Sequence, residues 1–240
     1  MGRLKWDQTG DKYFELGVKQ GVLFVMDVTS TASNPYKSGV AWNGLREMED
    51  SPDGADANDM WADDMKYGSI RGAENHKGSI GAYTYPDEFE ECNGAKELVA
   101  GSGVYVRQQK RVPFAMAWIS TIGNDIDPEV AHRLHIVYGC TCSPSNRTYE
   151  TMNENPDAQE LSWDYESTPV AVNVAGFKPT AKIELDSRSV NSAKLTTIED
   201  KIFGKDPSTA GGDDGNDSTL LMPDEIYDIL GGDSEEDEED

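Results

Sequence analysis

Positive charge is what this 240-residue chain has least of: 21 Lys and Arg stand against 45 Asp and Glu, a formal net charge of −24. Phosphate and anionic-membrane binding draw on clustered cations, so nucleic acid and membrane are disfavoured as partners. The one dense basic run, Arg107-Gln-Gln-Lys-Arg111, is short and falls where a strand start or a turn is expected. Cysteine is scarce too. Cys92, Cys140 and Cys142 are an odd set at no framework spacing, and two thiols one residue apart on a strand rarely close a disulfide. The three histidines offer no zinc spacing, so free thiols in a reducing compartment are expected, and no metal. No apolar run approaches the roughly 18 residues of a membrane span. The first residues lack the apolar core of a secretory signal, so synthesis and assembly in a cytoplasm are the expectation.

Signatures of catalysis are also missing. There is no Walker loop and no dinucleotide fingerprint, and Gly101-Ser-Gly103 leads into Val104-Tyr-Val106 instead of following a strand into a helix. His132 and His135 would share a face on a helix, but the apolar alternation around them favours a strand, on which they point to opposite faces. The oxygen-rich set Asp50, Asp53, Asp56, Asn58 and Asp59 misses the calcium-loop pattern of alternate ligands with Gly at the sixth position. Asn124-Asp-Ile-Asp127 and Asp213-Asp-Gly-Asn-Asp217 fit it no better. No enzyme and no cofactor are expected.

What is present reads as strands. Residues 20–28 are nearly continuously apolar, as in a strand covered on both faces. Residues 112–122, 133–138, 161–168 and 181–185 alternate with a period of two, the mark of antiparallel sheet packed on a core. The fold class that follows is mainly β: a β-sandwich or barrel of antiparallel strands with a flanking α-helix. That helix spans about 191–203, capped by Asn191, with Leu195, Ile198 and Ile202 as its buried stripe and Gly204 as its stop. It closes a β domain of residues 1–204. A Gly/Asp-rich linker (205–222), a short helix (223–230) and an acidic tail (231–240) follow. Residues 1–204 carry 31 acids and 20 bases, whereas 205–240 carry 14 and one, so over half of the excess charge lies in the last 36 residues. Like charges in the tail repel, and it is expected to be disordered. Residues 47–66 read as a long Asp-, Gly- and Ala-rich loop, which is uncommon in a compact β domain unless it has a task.

Residues 82–92 describe a strand ending at Pro86 and turning into a short acidic helix. They stand in an ordered series. Trp6-Asp-Gln-Thr-Gly10, Gly17-Val-Lys-Gln-Gly-Val-Leu-Phe24, Gly39-Val-Ala-Trp-Asn-Gly-Leu45, Ser51-Pro-Asp-Gly-Ala55 and Ala62-Asp-Asp-Met-Lys-Tyr67 precede them. Ile122-Gly-Asn-Asp125, Leu134-His-Ile-Val-Tyr-Gly139 and the helix from Lys194 to Gly204 follow. From about Trp6 to Leu230 this series resembles the major tail protein of long-tailed bacteriophages, the subunit of the tail tube.

The resemblance implies a phage tail-tube-like fold and a structural virion protein that assembles into stacked homohexameric rings, the conduit for viral DNA. The partners it implies are further copies of the chain, a tape-measure protein, and terminator and distal tail proteins. DNA would pass through without specific binding. It also makes residues 47–66 a candidate ring-stacking loop, with Asp50, Asp53, Asp56, Asp59, Trp61, Asp63, Asp64 and Lys66 as contact residues. An acidic lumen would repel phosphates. Asp164, Glu166 and Glu184 are candidates for it, and serve equally well as ordinary outer-surface acids. Two rivals stand beside this reading: another ring-forming virion or contractile or secretion-tube protein, and an acidic calcium-dependent binding module.

Overall fold

The computed structural model describes residues 3–52, 54, 57–71, 75–144, 147, 149, 151, 158–207 and 214–231. Candidate residues Asp53 and Asp56, and the acidic tail beyond Gly231, lie outside the described residues. In chain order the strands are β1 (Phe14–Val25), β2 (Val40–Ala41), β3 (Leu45–Asp50), β4 (Ala57–Ala62), β5 (Met65–Arg71) and β6 (Lys77–Ala82). After helix α1 (Phe89–Cys92) come β7 (Ala95–Glu97), β8 (Tyr105–Arg107), β9 (Phe114–Gly123), β10 (Ala131–Pro144), β11 (Leu161–Ser167) and β12 (Lys182–Asp186). Helices α2 (Ser192–Phe203) and α3 (Pro223–Leu230) complete the chain. The protein is mainly β, as its alternation requires.

One eight-stranded sheet in the order β2-β1-β9-β10-β11-β6-β3 carries the fold, with β12 also paired to β10. Every pairing in it is antiparallel. The 14-residue β10 makes this possible. Its first half pairs with β12 from Arg133 to Val137, and its second half pairs with β11 from Cys140 to Pro144. Between the halves, Gly139 adopts φ +59° at a register shift, where an added Cβ would run into the Thr168 backbone. Such a bulge bends the strand and advances its phase by one residue. Val137 and Cys140, three apart, therefore share a face, and β11-β6-β3 folds back over β1 and β9.

Two cores result. Between the folded halves lie Leu23, Val25, Phe114, Met116, Trp118, Ile80 and the alternate residues Leu161, Trp163 and Tyr165 of β11. The stretch 82–92 closes this core from one side. Its Tyr85 and Phe89 rings stand edge-on to Trp163 at 5.3 and 5.2 Å between centroids. On the opposite face of the central strands, Val22, Phe24, Ala115, Ala117, Leu134, Ile136 and Tyr138 receive Leu195, Ile198 and Ile202 of α2 and Ile226 of α3. Small alanines on β9 let the helix lie close, while the large residues alternating with them fill the other side.

Helix α2 begins where its cap predicts. Asn191 Oδ1 accepts from the amides of Ala193 (3.0 Å) and Lys194 (3.4 Å), satisfying donors that the first helical turn leaves open. Asn191→Ala is expected to destabilise the protein by about 1 kcal/mol. Thermal unfolding followed by circular dichroism should then show a Tm lower by roughly 2–4 °C.

Three expectations need correction or extension. Residues 47–66 are not a loop: they contain most of β3 and the whole of β4, and enter β5. The β4–β5 turn is Asp63-Asp64, both at positive φ (50° and 58°), the two-residue geometry that matches strand twist but that is usually signalled by Asn-Gly. Strand β1 starts at Phe14, well before residue 20, because bulges around Gly17 and Gln20 let its polar half stay paired to β9. Within the 205–222 linker, residues 214–222 form a strap on the domain. Lys205 bridges Asn216, the Gly39 amide donates to Ser218 O, and Leu220 and Leu221 are buried.

Candidate functional site

The structure divides the candidate loop residues into two places. Asp59, Trp61, Asp63, Asp64 and Lys66 all lie on the β4–β5 hairpin, a two-stranded sheet of its own. Asp59 is tied across it to Lys66 at 2.7 Å, and those Lys66 and Ser69 hydrogen bonds hold its carboxyl below the usual range. The hairpin exposes Met60, Trp61, Met65, Tyr67 and Ile70, with Tyr67 at 79 % and Trp61 at 66 %. An isolated two-stranded hairpin is marginal in water, and large apolar groups gathered on one mark a contact surface. A second apolar strip, Leu4, Trp6, Tyr13, Phe14 and Leu16, leads along the N-terminal segment into the polar half of β1.

Asp50 sits elsewhere, at the end of β3, in a network of charges where the inner core opens to solvent. Lys182 bridges Asp50 and Glu184. His135 lies on the same face, stacked on Trp118 at 5.0 Å with an interplanar angle of 8°. Its Nδ1 is 3.4 Å from Glu184 Oε1, and its Nε2 is 2.8 Å from Ser120 Oγ and 3.2 Å from Glu15 Oε1. Arg133 joins Glu15 to Asp186, and Asp186 also takes Arg188 at 2.6 Å. A concavity of about 530 Å3 opens beside the network, lined by Asp50, His76, Pro169, Pro179, Lys182 and Glu184.

Ser120, His135 and Glu184 sit in the order of a nucleophile, base and orienting acid, yet the hydrogen bonds run the wrong way. The Ser120 hydroxyl donates to Glu15 Oε1, so the His135 Nε2 proton must point toward Ser120 and Glu15 instead of a free ring nitrogen accepting from the serine. A carboxylate beside Oγ would also oppose a developing oxyanion. This is a structural ion network.

Burial, and then the nearby Lys182 charge, push the His135 pKa down despite Glu184 and Glu15. Burial is the largest single influence on the Glu184 carboxyl and would raise it, but the Lys182 hydrogen bond and the nearby positive charges together outweigh it, and the net shift is downward. The Arg188 hydrogen bond holds Asp186 far below the ordinary carboxylate range. With a folded pKa below its unfolded value of about 6.5, His135 takes up its proton first in the unfolded chain. Its contribution to stability is full above about pH 6.5 and declines as pH falls toward the folded value. Urea unfolding at pH 7, 6 and 5 should show falling stability, by at most ~1.4 kcal/mol per pH unit for the one proton. In His135→Gln that slope should flatten; an unchanged slope would assign the acid sensitivity to other groups.

Of the three candidate lumen acids, Asp164 and Glu166 alternate with buried Trp163 and Tyr165 on the outer face of β11. Glu184 is apart from them, engaged by Lys182. His132 points to the opposite face from His135, as a strand requires, and meets Glu199 of α2 at 2.6 Å. The thiols of Cys92, Cys140 and Cys142 are all buried. Burial raises Cys140 to about 12 and Cys142 to about 11, so neither is a thiolate at neutral pH.

No family model matches the sequence, and no curated protein matches it. Among solved structures the chain is similar to one from the sheath-tube complex of an extracellular contractile injection system, PVC, in its extended state. Identity there is 10%, the TM-score is 0.30, and the match covers 70% of this chain and 88% of that chain. It is similar also to a chain from the sheath/tube terminator of the same system, at 10% identity and a TM-score of 0.29, covering 76% of this chain and 99% of that chain. At these values the likeness assigns no role.

Sequence reasoning missed the Glu15–Ser120–His135 contact, whose members lie 105 and 120 residues from Glu15 and meet only through strand pairing. The usable signal was a polar pair, Ser120 and His135, at buried positions of apolar strands.

Proposed function

We propose that this chain is a structural tail-tube subunit, assembling into hexameric rings that stack into the conduit for viral DNA. The observation that carries the reading is the β4–β5 hairpin, which holds Trp61, Met65 and Tyr67 in solvent on strands that, among the described residues, pair only with each other. A second copy of the chain is the partner that covers it. The ordered series of motifs from Trp6 to Leu230, on a mainly β architecture, supports the same reading. So does the open sheet, which ends in the two-residue β2 and in β3 and leaves edges for a neighbour to pair. In a tube, Asp164 and Glu166 are better placed than Glu184 to repel passing phosphates, because no cation neutralises them among the described contacts. Tape-measure, terminator and distal tail proteins are the remaining partners of such a subunit, and the virion tail its location.

Negative-stain microscopy of the purified protein over a range of concentration and salt tests the proposal. Rings or tubes with a central channel support it. Monomers under every condition, with a melting temperature that rises on adding calcium, would replace it with the binding-module reading.

A further inference from the structure

A basic concavity of about 640 Å3 lies beside α1 in this strongly acidic chain, lined by Asn93, Arg107, Gln109, Arg111, Arg147 and Tyr149 among others. Three guanidinium groups thus meet where the sequence shows only one short basic run and a distant arginine. Two buried donors there lack partners among the described residues. Asn93 is 6 % exposed; its Oδ1 accepts from Trp163 Nε1 at 3.2 Å, and this fixes the amide so that Nδ2 is left without a hydrogen bond. Arg147 stacks over the Tyr85 and Trp163 rings at 5.4 and 5.8 Å, and its Nη2 is likewise buried and unpaired. Arg107 reaches Glu90 at 3.5 Å and is also hydrogen-bonded to the Tyr85 hydroxyl, and Arg111 reaches Ser143 only at 3.4 Å. The floor is shaped for close approach: Gly94, at φ +75°, leaves room that a Cβ would take at 3.3 Å from Arg111 Cγ.

Buried unpaired donors are rare in folded proteins, and two that border one concavity point to an acceptor from outside. Arginine forks bind planar carboxylates in pairs of hydrogen bonds, and stacking on aromatic rings holds the fork in place. This chain supplies such acceptors in quantity: residues 233–240 read Asp-Ser-Glu-Glu-Asp-Glu-Glu-Asp, seven acids in eight positions. We propose that the arginine-lined concavity receives this acidic C-terminal segment from a second copy of the chain.

The topology favours a second copy over the same one. Helix α3 packs on the helix-side core with Tyr138, whereas Asn93 and Arg147 adjoin the aromatic core on the other face of the central strands. Gly231, the last described residue before the segment, therefore lies on the far side of the sheet. Nucleic acid is the weaker fit. A duplex backbone needs a longer basic track than three arginines, and a surface with an overall charge of −24 repels it. The contact requires only that two copies meet, so it stands or falls separately from the tube reading.

The test uses the full-length chain and a fluorescein-labelled peptide of residues 231–240, with binding read by anisotropy at low and at physiological salt. Binding is expected, weakened at the higher salt, and reduced roughly tenfold by Arg111→Ser, an exposed position whose change leaves the fold intact. A full-length variant with the seven tail acids changed to Asn and Gln should bind the peptide more tightly than the parent, because its concavity has no competitor. The same variant should self-associate less at low salt by light scattering. Three results would overturn the proposal: no binding at low salt, equal binding by Arg111→Ser and the parent, or greater self-association once the tail is neutral. That last outcome would make the tail a repulsive spacer. Binding of a DNA duplex in place of the peptide would reassign the concavity to nucleic acid.

Discussion

Trp163→Ala is expected to remove about 3–5 kcal/mol of stability and to lower Tm by roughly 10 °C. Trp163 is fully buried on β11, at the point where the folded-over half of the sheet meets the central strands. Phe89, Tyr85 and Trp42 approach its ring at 5.2, 5.3 and 5.9 Å, all near edge-on, a geometry in which the positive ring edge meets a negative face. Truncation leaves a cavity bordered by rigid rings, which relax poorly, so the upper part of the range applies. Trp163→Phe separates packing from hydrogen bonding. It keeps an aromatic ring but strips the donor from Asn93 Oδ1, and should lower stability by about 1–3 kcal/mol. Urea unfolding of both variants checks the pair. Equal losses would mean that the indole N–H, not the aromatic packing, holds the two halves together.

How much of this was legible in the sequence depended on whether the signal was local. Strand β11 shows strict alternation of Leu161, Trp163 and Tyr165 against Ser162, Asp164 and Glu166, and each assignment matches its burial. Helix α2 shows its cap, stripe and stop within 14 residues, and forms over the residues expected. The hairpin β4–β5 was hidden because β4 is rich in Ala, Asn and Asp, because Gly68 interrupts β5, and because its turn is Asp63-Asp64. Neither composition nor turn carries the usual β signal. Gly139 is one glycine among 23 in the sequence; only the pairing of β10 with β11 and β12 shows that it redirects half of the sheet. The charge network and the arginine concavity were illegible for a related reason. Glu15, Ser120 and His135 sit on three strands, and Arg147 is 36 positions from Arg111. Sequence pattern finds sites whose members are neighbours along the chain, whereas sheet topology decides which distant residues share a face.

Under the proposed tube reading, replacing Trp61 and Tyr67 together by Ser is expected to abolish ring or tube formation while leaving the folded subunit unchanged. Both side chains are mostly in solvent, at 66 % and 79 % exposure, and neither belongs to either core. Surface changes of this kind shift stability by no more than about 0.5 kcal/mol, so Tm should stay within about 2 °C of the parent. Aromatic anchors at an interface are commonly worth 2 kcal/mol or more each, and every 1.4 kcal/mol is about tenfold in affinity. Two such losses would weaken a single subunit contact by roughly a thousandfold, and a ring multiplies the effect because every interface carries it. The Asp59–Lys66 ion pair makes a useful control, since a solvent-exposed, screened pair contributes little. Lys66→Ala should therefore assemble nearly as well as the parent. Sedimentation and negative-stain microscopy under matched conditions decide the matter. Normal assembly by the double variant would put the hairpin on the outside of the particle, and the N-terminal strip of Trp6, Tyr13, Phe14 and Leu16 would become the surface to test next.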